Sequence, residues 1–264
     1  MDSQVMSGKN YGLKTVKYLA ALAPLALLFF LSCSKKDVAP AVAKGVALKA
    51  NPAGAGSVIV DDLGNTLYFF AQDYAGLNTC QGDCAAKWIT FYVSNISIGA
   101  GLDQADFGEI TLTGGGKQTT YKGWPLYRYS GDAKPGDMTG DNFNHVWFFA
   151  KPDYSVMIAV NPTSPRKYLV APNGRTLYTY DNDINLNVST CTGSCSNTWP
   201  AFLKTTPNIV VPTFLSATDF GTTTGGQQFI YKGHLLYFNV GDVNRGDAAG
   251  LSNSAWHELD ETKF

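Results

Sequence analysis

The chain has 264 residues, 45% of them apolar and only 16% charged, and 20 Lys plus Arg nearly balance 21 Asp plus Glu for a net charge of −1. That apolar content supports a buried core and excludes a disordered chain. The charge balance offers no basic surface for a nucleic-acid partner. With 27 Gly, 13% aromatics and few Met, the chain reads as strands and turns, not as a helical bundle.

Residues 1–32 read as an export signal. Lys9, Lys14 and Lys17 precede an apolar run over 18–31 that ends at Ser32-Cys33. This matches a positive n-region, an apolar h-region and a small residue before the cut, and the run is short for a membrane-spanning helix, which needs about 20 apolar residues. Phe30-Leu31-Ser32-Cys33 resembles a bacterial lipobox, with Phe30 where Leu is usual. The resemblance implies that the Cys33 thiol takes a diacylglycerol and that the chain is cut before it. Two or three acyl chains, at about 0.8 kcal/mol per buried CH₂, would hold the protein on a membrane. Residues 33–44 then serve as lipidated Cys and tether.

The rest of the chain repeats itself at an offset of about 110 residues. Gly64-x-Thr66-Leu67-Tyr68 recurs as Gly174-x-Thr176-Leu177-Tyr178. Asp73, Cys80-x-Gly82-x-Cys84 and Trp88 recur as Asp183, Cys191-x-Gly193-x-Cys195 and Trp199. Tyr121-Lys122-Gly123, Tyr127, Asp132 and Trp147 recur as Tyr231-Lys232-Gly233, Tyr237, Asp242 and Trp256. The units are 45–154 and 155–264. Each halves again, because a Leu-Tyr run, an Asp and a Trp recur in both halves, giving four quasi-repeats.

Strand patterns fill these units. Residues 57–60, a Gly64-Asn65 turn and residues 66–70 form a hairpin signature, repeated by 167–170, Pro172-Asn173-Gly174 and 176–180. Short helices are expected after the cysteines, around 84–88. About sixteen strands in all define an all-β fold of two tandem units. We expect one integrated body. Four units of four strands would suit a small β-propeller, and two packed β-sandwich domains would suit the 110-residue period.

Tyr68-x-Phe70-x-x-Asp73 and Tyr178-x-Tyr180-x-x-Asp183, each followed by C-x-G-x-C and Trp, resemble the bacterial secreted-repeat family of predicted lipoproteins with a Y-x-[FWY]-x-x-D motif. Tyr121-x-Gly123-x-Pro125-Leu126-Tyr127 and Gly131-Asp132-x-x-Pro135-Gly136-Asp137 fit its second half-motif. Unit two departs at Leu235 and Arg245. The resemblance implies an exported, lipid-anchored repeat protein and brings no activity with it.

The motif has a physical reading of its own. Tyr68 and Phe70 share one face of a strand, and Asp73 lies beyond the strand end, where a carboxylate can accept backbone N–H groups and close a turn. The functional alternative is an aromatic platform with an acidic edge. Equivalent positions predict equal costs for losing Asp73 or Asp183. Outside the cytoplasm, local disulfides Cys80–Cys84 and Cys191–Cys195 are the default, with pairing between units, a four-cysteine metal site and an active dithiol as alternatives.

Catalytic patterns are scarce. His145, His234 and His257 have no histidine counterparts in the other unit. Gly114-Gly115-Gly116-Lys117 lacks phosphate-loop spacing and reads as a hairpin loop. Lys122 and Lys232 read as turn residues. The stretch from Asp181 to Asn187 spaces oxygens as calcium loops do, but Leu186 and Thr192 stand where Gly and Glu are needed. The sequence therefore points to a binding or structural module of the cell envelope without catalytic residues, metal or cofactor. Its partners are a membrane, through the lipid, and an envelope protein, glycan or ion. The competing reading is an exported enzyme or redox protein built on an asymmetric carboxylate site or a C-x₃-C dithiol.

Overall fold

The computed structural model describes residues 42–51, 56–161, 164–183, 187–225 and 227–260, with Gly12 alone before them and only the backbone of Ser164 and Pro165. The export signal apart from Gly12, the lipid-bearing Cys33 and the tether up to residue 41 lie outside the described residues, as do residues 184–186 of the calcium-like stretch.

Each unit opens with a hairpin. Gly45–Ala50 runs antiparallel to Ser57–Asp61, and Met157–Asn161 to Ser164–Val170. The expected turns follow: the N–H groups of Gly64 and Gly174 donate to the carbonyls of Asp61 and Ala171 at 2.9 and 2.8 Å. A second hairpin comes later in each unit, Phe107–Thr111 with Lys117–Tyr121 and Phe220–Thr222 with Phe229–Tyr231. Gly114 and Gly115 lie in the loop of the first, as the hairpin reading requires. Lys122 and Lys232 follow at φ +47° and +45°, so both are turn residues. The helices fall where expected, at Asp83–Lys87 and Ser194–Thr198.

The centre of unit one is a four-stranded antiparallel sheet in the order Trp147–Phe149, Tyr68–Phe70, Tyr127–Tyr129, Trp88–Thr90. Its register is two-fold symmetric. Trp147 lies opposite Phe70, Tyr68 opposite Tyr127, and Trp88 opposite Tyr129. The Trp strand of each half therefore pairs with the Leu-Tyr strand of the other half. Unit two repeats this with Trp256 opposite Tyr180 and bridges joining Tyr178 and Ala201 to Tyr237.

That exchange of strands accounts for how the fold departs from the propeller expectation. The fold is mostly β, in several small sheets with few short helices, and the described sheets do not close into a propeller. A four-bladed propeller needs a four-stranded sheet from each quasi-repeat, whereas the two quasi-repeats of unit one share a single central sheet. The units share one compact body. Phe69, Tyr121 and Trp124 of unit one form a single hydrophobic cluster with Met157, Tyr168 and Val170 of unit two.

Candidate functional site

The motif residues meet in pairs across the two-fold relation. The Tyr68 hydroxyl donates to Asp132 Oδ2 at 2.7 Å, and the Tyr127 hydroxyl donates to Asp73 Oδ2 at 2.6 Å. In unit two Tyr178 donates to Asp242 at 2.8 Å and Tyr237 to Asp183 at 2.5 Å. The other carboxylate oxygen closes the turn. Asp73 Oδ1 accepts from the backbone N–H and hydroxyl of Thr79, both at 2.7 Å, and Asp132 and Asp183 do the same with Thr139 and Thr190. In the fourth quasi-repeat only the Ala249 N–H remains for Asp242, at 2.9 Å.

Electrostatics suit this arrangement. Burial holds the Tyr68, Tyr127, Tyr178 and Tyr237 hydroxyls well above the usual phenol range, so all four stay protonated donors. Burial also pushes the Asp73 carboxyl up to about 6, against the downward pull of Tyr127, Thr79 and the Arg245 charge.

Around these pairs the tryptophans stack. Trp88 and Trp147 lie parallel at 3.7 Å between centroids, with Phe70 on the far side of Trp147 at 4.1 Å and Tyr129 beyond Trp88 at 4.4 Å. Unit two keeps Tyr180, Trp256 and Trp199 but has Asn239 where Tyr129 completes the column. Trp88, Trp147, Trp199 and Trp256 are all buried. They form a core and not an open platform. Gly140 and Gly250 let the chain cross these rings, since a Cβ at either would come within 2.8 Å of the Trp88 or Trp199 ring.

Disulfides join Cys80 to Cys84 and Cys191 to Cys195. Gly82 and Gly193 sit inside them at φ +58° and +61°, a backbone that side chains resist. Cys80 follows Thr79 directly, so the Asp73 turn and the disulfide hold the same loop.

The quasi-repeats are not equal in burial. Asp73 and Asp242 are buried, while Asp132 and Asp183 are partly exposed. The loops bearing the first two abut at the seam between the units. A Cβ on Gly246 would lie 2.6 Å from the Tyr74 ring, and one on Gly76 would lie 3.2 Å from Arg245. Arg245, which stands where unit one has Pro135, donates through Nη1 to the carbonyls of Lys122 and Asn173 and lies over the Trp124 ring. It clasps a turn of each unit.

Beside that clasp, between the units, opens a cleft of about 860 Å³. Lys122 and Asp106 stand at one side of it, Asn173 and Pro172 at another, and Phe202, Leu203, Phe229 and Phe238 form its apolar wall. Its one ion pair, Lys122 with Asp106 at 3.8 Å, recurs in unit two as Lys232 with Asp219 at 3.7 Å. This pair belongs to the repeated turn, a relation that sequence comparison of the units did not single out. No histidine lines the cleft: His145 contacts Asn142 and His257 contacts Asp181. Among the described residues, three or more His, Cys, Asp or Glu do not gather as a metal-holding group, and no helix is long and apolar enough to cross a membrane. In the calcium-like stretch, Asp181 turns to His257 while Asp183 turns to Thr190 and Tyr237.

Residues 53–91, 109–151 and 167–202 match a lipoprotein family described as a secreted repeat of unknown function. The fourth quasi-repeat lies outside those three stretches, although Tyr237, Asp242 and Trp256 take the same places in space as their counterparts. No curated protein and no solved structure matches the chain.

Proposed function

We propose that this chain, three stretches of which match the secreted-repeat lipoprotein family, is an exported module, anchored through lipid on Cys33, that acts by binding at the cell envelope. One observation carries the binding reading. The motif tyrosines and aspartates are spent on one another in both units, so the repeated polar chemistry builds the scaffold and leaves the seam cleft, about 860 Å³, as a concave surface for a ligand. The enzyme alternative calls for titratable groups of one unit converging in that cleft. Its Lys–Asp pair instead has a counterpart in the other unit, which favours binding.

The anchor is tested at its own residue. Cys33→Ala is expected to shift the protein from the membrane to the soluble fraction, or to leave an uncleaved precursor, and to abolish incorporation of labelled fatty acid. Undiminished labelling of the variant would remove the lipid anchor from the proposal.

A further inference from the structure

We propose that the seam cleft binds a neutral, largely apolar small molecule, an inference that rests on the binding-module reading and names its ligand class. Asp61, Thr119 and Arg128 of unit one correspond to Ala171, Phe229 and Phe238 of unit two. In unit one, Arg128 Nη2 meets Asp61 Oδ2 at 2.6 Å, and that carboxylate also accepts from the Leu63 and Asn65 N–H groups. Thr119 Oγ1 accepts from the Val93 N–H at 3.2 Å. Unit two replaces this polar set with two phenylalanines and an alanine, and all three line the cleft.

Ala171 and Phe229 are buried beside Phe202 in the core of unit two, so the apolar surface that the change presents to the cleft is that of the partly exposed Phe238. The change also sits where the repeat meets its neighbour. Arg175, in the place of Asn65, lies 4.3 Å over the Phe238 ring and donates to the Asn239 carbonyl. It braces the outer side of the apolar wall.

The remaining polar groups define what the ligand lacks. Lys122 Nζ donates to the Pro152 carbonyl at 2.9 Å and pairs with Asp106, whose Oδ2 accepts from Tyr121. Ser155 Oγ is engaged with Asn208 and Val210. An ionic ligand would have to displace these contacts, and burying a charge without a partner is costly. An uncharged one need only cover the partly exposed Phe238 ring and Leu203, which is 50% exposed at the rim. The volume falls within the roughly 300–1,000 Å³ usual for small-molecule sites.

The test is a fluorescence titration of the full mature protein with the neutral apolar probe N-phenyl-1-naphthylamine. Saturable binding at one site per chain is expected. Leu203→Glu should weaken it at least tenfold, and so should Ala171→Asp combined with Phe238→Arg, which introduces the counterpart of unit one's Asp61–Arg128 pair. Ile89→Glu, at an equally exposed apolar position outside the cleft, should leave it unchanged. Leu203→Glu lies on the rim, so it reports on the site even if the double variant fails to fold. Absence of saturable binding, undiminished binding to Leu203→Glu, or equal loss in Ile89→Glu would overturn the proposal. Such a failure beside normal Cys33-dependent membrane retention removes the ligand class alone, whereas retention without Cys33 removes the anchor and leaves the cleft result standing.

Discussion

Asp73→Ala is expected to destabilise the protein by about 3 kcal/mol, a fall in melting temperature on the order of 6–12 °C for a body of this size. The buried carboxylate accepts three hydrogen bonds, and its loss strands the buried Tyr127 hydroxyl and unties the Thr79 N–H and hydroxyl that close the turn. Each stranded buried donor costs about 1–3 kcal/mol. Part of that total is returned, because burial already disfavours the Asp73 charge. Asp183→Ala removes the same set of contacts from a partly exposed site, where water can replace the lost acceptor. Its cost should be about half as large. The equal costs expected from repeat symmetry therefore give way to an order, Asp73 above Asp183, because only Asp73 lies against the seam. Thermal melts of both variants beside wild type measure that order.

Trp147→Ala should cost still more, about 4–6 kcal/mol, since a buried Trp-to-Ala change costs about 3–5 and each lost aromatic pair adds about 0.5–1.5. Trp147 lies between Trp88 and Phe70 and meets the Tyr127 ring edge-on at 5.1 Å. It also belongs to a strand that one half lends to the other, so its loss loosens both halves of unit one. Trp256 has the equivalent three ring neighbours, Trp199, Tyr180 and Tyr237, so Trp256→Ala should cost about as much. Denaturant melts of the two variants test that equality. A loss below about 1 kcal/mol for Trp147→Ala would mean that the column is not a core.

Much of this was legible in the sequence, and the parts that were not share a cause. Hairpins, helices and local disulfides depend on neighbours a few residues apart, so Gly64, Gly114, Gly174 and the C-x-G-x-C spacing located them. The turn-closing role of Asp73 was legible for the same reason: Thr79 is only six residues away. Its second partner was not. Tyr127 lies 54 residues further on, and nothing in the Y-x-F-x-x-D spacing says that Tyr68 and Asp73 each bind the other half. Without that exchange, four quasi-repeats look like four blades.

The seam was illegible for a related reason. Arg245 was visible as a departure from Pro135, but only the fold shows that it reaches Lys122 and Asn173. Likewise Ala171 and Phe238 are ordinary apolar residues until the structure sets them beside the Asp61–Arg128 pair they replace.

The motif acid and tyrosine are structural partners across the half-repeats, which a double-mutant cycle on Tyr127→Phe and Asp73→Ala measures, with each melt repeated in calcium and in chelator. Both single variants should be destabilised, with a coupling energy of about 1.5–3 kcal/mol, the range for a hydrogen bond to a charged group, unchanged by calcium or chelator. A coupling near zero, an Asp73→Ala protein that melts at or above wild type, or a destabilisation reproduced in wild type by chelator alone would contradict that partnership.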